Sequence, residues 1–177
     1  MKNFVLPIVL SVIALSSMAS ANADQQVQKP WTVQVGAGWP GQSSAKNFEG
    51  DTAWNAGVDY AFSKSNAVEP MLTSVYFDYT GASDHGNSLN TYGVGIGGRQ
   101  YFGRSANMSP YYGAGVGVYD TDGKGGGNSK SQTNIGGKVL VGLQFTGAYF
   151  VQVGYNWLPS VKNVDPSNVG VDVGLRF

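Results

Sequence analysis

The sequence predicts an all-β fold: an eight-stranded antiparallel up-and-down transmembrane β-barrel, preceded by a cleaved signal peptide. Three observations predict it. The first 23 residues read as an export leader, and the remainder falls into eight stretches of apolar alternation with no helical period of useful length. The two faces of those stretches have the compositions of a barrel whose apolar side is turned outward.

Residues 1–23 carry one early cation, Lys2, an apolar run over 4–15, and small residues closing on Ala21-Asn22-Ala23, the A-x-A pattern of a cleavage site. A membrane-spanning helix needs ~20 apolar residues. This run is shorter and contains Pro7. Cleavage divides the chain into a leader, 1–23, and one domain, 24–177. Removing 23 of 177 residues leaves 154, enough for a single domain with a proper interior, and no linker or composition break divides it. The mature part holds 10 Lys and Arg against 11 Asp and Glu, so electrostatics give no reason to expect a nucleic-acid partner. The absence of cysteine excludes disulfides, thiolate metal sites and cysteine nucleophiles together. Charged residues make up 12%, about half the globular norm, while the 26 glycines are about twice it, a combination that requires a physical reason.

Strand one, 31–39, sets Trp31, Val33, Val35, Ala37 and Trp39 on one face and Gln34 on the other. Strand two, 52–62, repeats this with Trp54, Ala56, Val58, Tyr60 and Phe62 against Asn55 and Asp59. Strand three, 71–80, opposes Met71, Thr73, Val75, Phe77 and Tyr79 to Asp78. Strands four, 91–102, and five, 110–119, carry Arg99 and a wall of small residues, Gly93, Gly95, Gly97, Gly113, Gly115 and Gly117, on the polar face. In strand six, 133–145, Val139, Val141, Leu143 and Phe145 alternate with Asn134 and Lys138. Strand seven, 149–158, alternates Tyr149, Val151, Val153, Tyr155 and Trp157 with Gln152 and Asn156, and strand eight, 168–177, ends "VGVDVGLRF" with Asp172 and Arg176 on its polar side. Each of the seven connectors holds Gly, Asn, Ser, Asp or Pro, and the six prolines after the leader lie at strand ends or outside them, where no ladder bond is lost. An even strand number returns both ends to one side. Connectors 41–51, 82–90, 120–131 and 159–166 are then expected outside, and 63–70, 103–109 and 146–148 inside.

Alternation alone does not say which face points in, since a water-soluble barrel buries its apolar face and a membrane barrel exposes it. Three details favour the second. Aromatics sit at both ends of the apolar face: Trp31 and Trp39 are eight steps apart, ~20 Å after a ~40° tilt, near the ~25 Å apolar band between two aromatic girdles. Trp31, Trp39, Trp54, Phe62, Tyr149 and Trp157 are the expected girdle residues. Glycine on a solvent face weakens a strand without return, whereas in a narrow closed lumen small residues leave room for a few large ones. Finally, the chain stops on the strand itself, at Phe177.

The leader, the eight strands, "YGVGIGG" at 92–98, "PYYGAGVGVY" at 110–119 and the final "VGLRF" together resemble the small eight-stranded outer-membrane β-barrels, OmpA/OmpX-like, of bacteria with two membranes. The resemblance covers the whole mature chain. It implies an outer-membrane location with both termini periplasmic, contact with outer-membrane lipids and lipopolysaccharide, and biogenesis through periplasmic chaperones and the barrel-assembly machinery. For Phe177 it implies the C-terminal aromatic that this machinery reads; the plainer reading, an inner girdle ring, is compatible with it.

Candidate chemistry is sparse. His85, the only histidine, lies in Ala82-Ser83-Asp84-His85-Gly86, and a serine, an acid and an imidazole on one outer loop are the parts of acyl-transfer chemistry. Adjacent residues on a loop are poorly preorganised, however. The lipid A deacylases carry His-x-Ser on a late strand, where no histidine lies here, and the palmitoyltransferases, which resemble this chain in loop placement, begin with an amphipathic helix that 24–30 is too short to form. Asp120-Thr-Asp122-Gly123-Lys124 opens like a calcium loop but places Lys124 where an oxygen ligand belongs, and the glycines at 123–127 lack the strand–helix context of a phosphate loop. No metal, cofactor or catalytic residue is expected. The inward ions say more: Asp59, Asp78 and Asp172 against Arg99, Lys138 and Arg176, three against three. Confined charges must be paired or hydrated, and with eight strands side chains fill the lumen, so the set reads as a plug, with Lys138–Asp172 and Asp59–Arg99 as the expected contacts. The expected function is a monomeric, non-enzymatic barrel with a structural or surface role: envelope integrity, surface contact or adhesion through its outer loops. The alternatives are binding or passage of a small solute or hydrophobic ligand in the lumen, and a lipid A-modifying enzyme.

Overall fold

The computed structural model describes residues 29–41, 52–62, 71–84, 86–101, 108–125, 128–145, 148–160 and 164–177. Its strands are β1 (Trp31–Pro40), β2 (Ala53–Ala61), β3 (Met71–Asp84), β4 (Asn87–Tyr101), β5 (Met108–Gly125), β6 (Asn128–Phe145), β7 (Tyr149–Trp157) and β8 (Asn168–Arg176). Each pairs antiparallel with its sequence neighbours, and β8 pairs with β1, so the sheet closes into a barrel. Phe177 seals the seam: its N–H donates to the Trp31 carbonyl and its own carbonyl accepts from the Trp31 N–H, both at 2.9 Å. Closure is what lipid demands, because it offers an unpaired N–H or C=O no partner.

Register fixes the tilt. Following paired residues from Pro40 on β1 through Asn168, Asn156, Lys138, Gly115, Gly97 and Ser74 reaches Ala61 on β2. The Ala61 N–H bonds to the carbonyl of Pro30, ten residues below the start. Over eight strands that offset corresponds to a tilt of ~40° and a rise of ~2.5 Å per residue along the axis.

The barrel is inside-out relative to a soluble one. Trp54 is 71% exposed and Ile135 66%, whereas Asp59 is 2% and Gln152 3%. Exposed valines, Val35, Val75, Val94, Val116, Val139, Val153 and Val171, fill the waist of the outer wall. Aromatics bound it: near one rim Trp31 packs at a tilt against Tyr60 with ring centroids 4.8 Å apart, beside Phe62 and Tyr149; near the other Tyr79 meets Tyr92 at 5.2 Å, level with Trp39, Trp54 and Trp157.

The largest departure from the sequence reading is in the outer connectors. Both 82–90 and 120–131 are expected as loops, yet β3 and β4 pair out to Asp84↔Asn87, and β5 and β6 out to Gly125↔Asn128. Past the aromatic rim no lipid lies on either side, so polar residues such as Ser83, Ser88, Asp122 and Ser131 replace the alternation while the backbone ladder, indifferent to side-chain polarity, continues. Gly86, at φ 85°, supplies the left-handed residue the β3–β4 turn needs. Elsewhere strand ends shift by one or two residues from expectation. The expected leader, 1–23, the inner connector 63–70, most of 103–109 and His85 lie outside the described residues.

Candidate functional site

The lumen is built from residues in phase with the polar set, and it is stacked in layers. At the end nearest the C-terminus Arg176 donates from Nε to the Lys29 carbonyl at 2.9 Å and from Nη1 to the Tyr101 hydroxyl at 3.1 Å. Above it, Arg99 forms an ion pair with Asp59 at 2.5 Å, and its guanidinium lies 5.8 Å from the Tyr111 ring centroid and 5.7 Å from that of Phe150. Asp59 Oδ1 has no hydrogen-bond partner among the described residues. A third layer centres on Gln152, which accepts from the Tyr111 hydroxyl at 3.0 Å and donates to Gln34 at 3.0 Å and to Asp172 at 3.2 Å. Asn55 donates to the other oxygen of Asp172 at 3.4 Å.

Higher still, Lys138 reaches across to Asp78 at 2.8 Å and stands 3.6 Å from the centroid of the Tyr76 ring. The Tyr76 and Tyr119 hydroxyls meet at 3.0 Å, and Leu158 packs on both rings, closing the outer end. The glycine wall now has its reason. A Cβ at Gly115 would stand 2.8 Å from the Tyr76 ring, and one at Gly117 2.8 Å from its hydroxyl. Glycine on β4 and β5 is what lets a tyrosine from β3 lie across so narrow a barrel.

Of the two expected contacts, Asp59–Arg99 is formed and Lys138–Asp172 is not. Lys138 pairs with Asp78 instead, because the ten-residue offset brings those two to the same height on opposite walls while Asp172 sits lower, held by the amides of Gln152 and Asn55. Nor does Arg176 meet a carboxylate among the described residues; a carbonyl and a phenol satisfy it. The sequence reading did not place Tyr76, Tyr111, Tyr119, Leu140 and Phe150 inside, yet all are buried. Parity held the signal: each falls on the same alternation as a polar lumen residue, Tyr76 with Asp78 and Phe150 with Gln152.

Outside the membrane band β3 to β6 continue as a four-stranded sheet. Gly125 stands ~17 Å above Val118 at the outer rim, at the rise per residue given above. By contrast, β1–β2 pairing ends at Gly38↔Ala53 and β7–β8 pairing at Asn156↔Asn168. Among the described residues the β6 edge over 128–136 therefore has a ladder partner only on the β5 side, its pairing with β7 starting at Gly137↔Trp157.

A family model described as the outer membrane protein beta-barrel domain matches residues 8–177. The chain belongs to that family. This outer-membrane β-barrel protein has no significant match among curated proteins in sequence. Its fold is shared with solved structures at low identity. The N-terminal β-barrel domain of Pseudomonas aeruginosa OprF is 15% identical with a TM-score of 0.54, covering 86% of this chain and 100% of its own. The Neisserial surface protein NspA is 21% identical with a TM-score of 0.55, covering 83% and 97%. The outer-membrane enzyme PagL is 16% identical with a TM-score of 0.59, covering 82% and 98%. One barrel thus carries an enzyme and other proteins alike, so the role of this outer-membrane protein has to be read from its own lumen and surface.

Proposed function

We propose that this outer-membrane protein is non-enzymatic and acts at the cell surface, making contacts through the sheet that β3 to β6 raise above the membrane. The observation that carries this reading is the pair of hairpins, which run unbroken to Asp84↔Asn87 and Gly125↔Asn128 while the other four strands stop at the rim. An exposed strand edge offers unpaired N–H and C=O groups to an extended partner segment, and β6 presents such an edge over 128–136 with polar side chains Ser129, Ser131 and Gln132. Against the passage alternative stands the layered lumen, whose upper part holds a cavity of about 30 Å³, room for about one water molecule. The lipid-modifying alternative rests on His85, which lies outside the described residues and has only adjacent, poorly preorganised Ser83 and Asp84 to recommend it in sequence. A closed wall with no open edge inside the membrane suits a monomer surrounded by lipid and, in the outer leaflet, lipopolysaccharide.

Replacing 121–132 with Asn-Gly shortens the β5–β6 hairpin to a two-residue turn at the rim. The expected result is a barrel that retains heat-modifiable gel mobility while cells expressing it attach less to epithelial monolayers than cells with the full-length protein. Unchanged attachment, with equal surface amounts, contradicts the surface-contact reading. Biogenesis gives a separate test of Phe177 as the signal read by the assembly machinery. Deleting Phe177 is expected to lower outer-membrane yield in cells and leave detergent refolding of purified protein largely intact; equal loss in both makes it a packing residue only.

A further inference from the structure

The two halves of the lumen differ in charge. In the lower half Asp59 is held by Arg99, and Arg176 adds a second cation satisfied by the Lys29 carbonyl and the Tyr101 hydroxyl. In the upper half Asp78 and Asp172 stand against one cation, Lys138, whose Nζ is committed to Asp78 Oδ2 at 2.8 Å and to the face of Tyr76. Among the described residues no cation pairs with Asp172. It is 7% exposed and accepts only from neutral amides, Gln152 at 3.2 Å and Asn55 at 3.4 Å. Arg176, the cation left over, lies four residues away on the same strand, ~10 Å lower at the rise given above, with the Arg99–Asp59 layer between them.

A second observation is independent of this imbalance. Asp78 Oδ1 is buried and accepts no hydrogen bond among the described residues. Asp78, Asp172 and Lys138 line one cavity, the space of about 30 Å³ described above, together with Asn55, Thr80 and Asn156. Oxygen is to spare on this wall. Thr80 donates its hydroxyl hydrogen to Asn55 Oδ1 at 3.1 Å, which leaves its lone pairs open. Asn168 gives its own amide N–H to the Pro166 carbonyl, so its oxygen accepts from Asn156 at 3.1 Å, and Asn156 keeps a carbonyl oxygen.

We propose that this cavity binds one sodium ion, with Asp78 Oδ1, Asp172, Thr80 and Asn156 supplying the oxygen ligands. One monovalent charge balances the two carboxylates against Lys138, in a place where a carboxylate without a cation is costly. A divalent ion overshoots that balance, and magnesium keeps several waters for which so small a cavity has no room. An anion meets two carboxylates. The site is separate from the protruding sheet and holds whatever that sheet contacts.

Urea unfolding of the refolded barrel in a zwitterionic detergent reads the site. At constant pH and ionic strength, replacing N-methylglucamine chloride with sodium chloride is expected to lower the unfolding equilibrium constant saturably, about tenfold once sodium is about ten times its dissociation constant. Asp172→Asn, which removes the charge and keeps the shape, abolishes the difference between the two salts. Asp120→Asn, on the protruding sheet where Asp120 accepts from Ser131 and Thr133, leaves that difference in place. Equal unfolding in the two salts overturns the proposal; so does a sodium effect that survives Asp172→Asn or one that Asp120→Asn removes. If Asp172→Asn fails the heat-modifiability test for folding, Thr80→Val decides, because it keeps both carboxylates and takes away one ligand oxygen. It is expected to raise the sodium concentration for half effect about tenfold, and an unchanged concentration overturns the site.

Discussion

Arg99→Met is expected to lower the unfolding free energy by about 3–5 kcal/mol, the largest loss from any single change in the lumen. Asp59 is 2% exposed, and its Oδ1 already lacks a partner among the described residues, so losing Arg99 leaves a carboxylate with neither water nor cation. The reciprocal change is milder. Asp59→Asn keeps an acceptor for Arg99, and the guanidinium still faces the rings of Tyr111 and Phe150 at 5.8 and 5.7 Å. The double variant, Arg99→Met with Asp59→Asn, removes the orphan charge and should recover part of the loss, giving a coupling that the two singles do not sum to. Urea unfolding of the three variants in detergent measures all of this. Additive losses, or Asp59→Asn costing as much as Arg99→Met, mean that water reaches the pair.

The second large effect is on the outer wall. Val153 is 44% exposed on β7, flanked by Val141 and Val171 in the neighbouring strands, and stands near mid-height between the aromatic rims. Val153→Arg should cost about 2–4 kcal/mol and impair insertion, because near the bilayer midplane the guanidinium has only hydrocarbon to meet. Val153→Leu should be nearly neutral. Those two outcomes together are diagnostic: on a water-exposed surface the arginine is harmless, and in a packed core the leucine is not. Gln152, the inward neighbour, which parity alone nominates as a tolerant position for arginine, is no control, because it holds Tyr111, Gln34 and Asp172 together.

Why the strands of the wall were legible and the outer sheet was not follows from what writes the signal. Between the rims lipid on one side and a polar lumen on the other impose a two-residue period, so Trp31 through Trp39 and Tyr149 through Trp157 announce themselves. Beyond the rim no lipid marks the outward face, Thr121 is polar yet 3% exposed and Gln132 is polar and exposed, so in sequence both resemble loop residues, and only the hydrogen-bond ladder shows that they are paired. Within the lumen, charge was readable and partnership was not. Which carboxylate Lys138 reaches depends on the ten-residue register offset, a property of the closed sheet that no single strand encodes, and the offset favours Asp78 over Asp172. The inward tyrosines were legible in principle, since Tyr76, Tyr111 and Tyr119 share the phase of the glycines and ions, but a large aromatic among polar residues reads as a break in the pattern until Gly95, Gly115 and Gly117 are seen to make room for it.

The proposed surface role rests on a lumen filled by Tyr76, Tyr119 and Leu158 above and by Arg99 and Asp59 below. Single-channel recording of the refolded protein in planar bilayers tests that most directly. The expected result is a silent bilayer into which folded protein, verified by its heat-modifiable mobility, has inserted. Steady ohmic steps from the unmodified barrel would contradict it, and solute passage would then displace surface contact as its function.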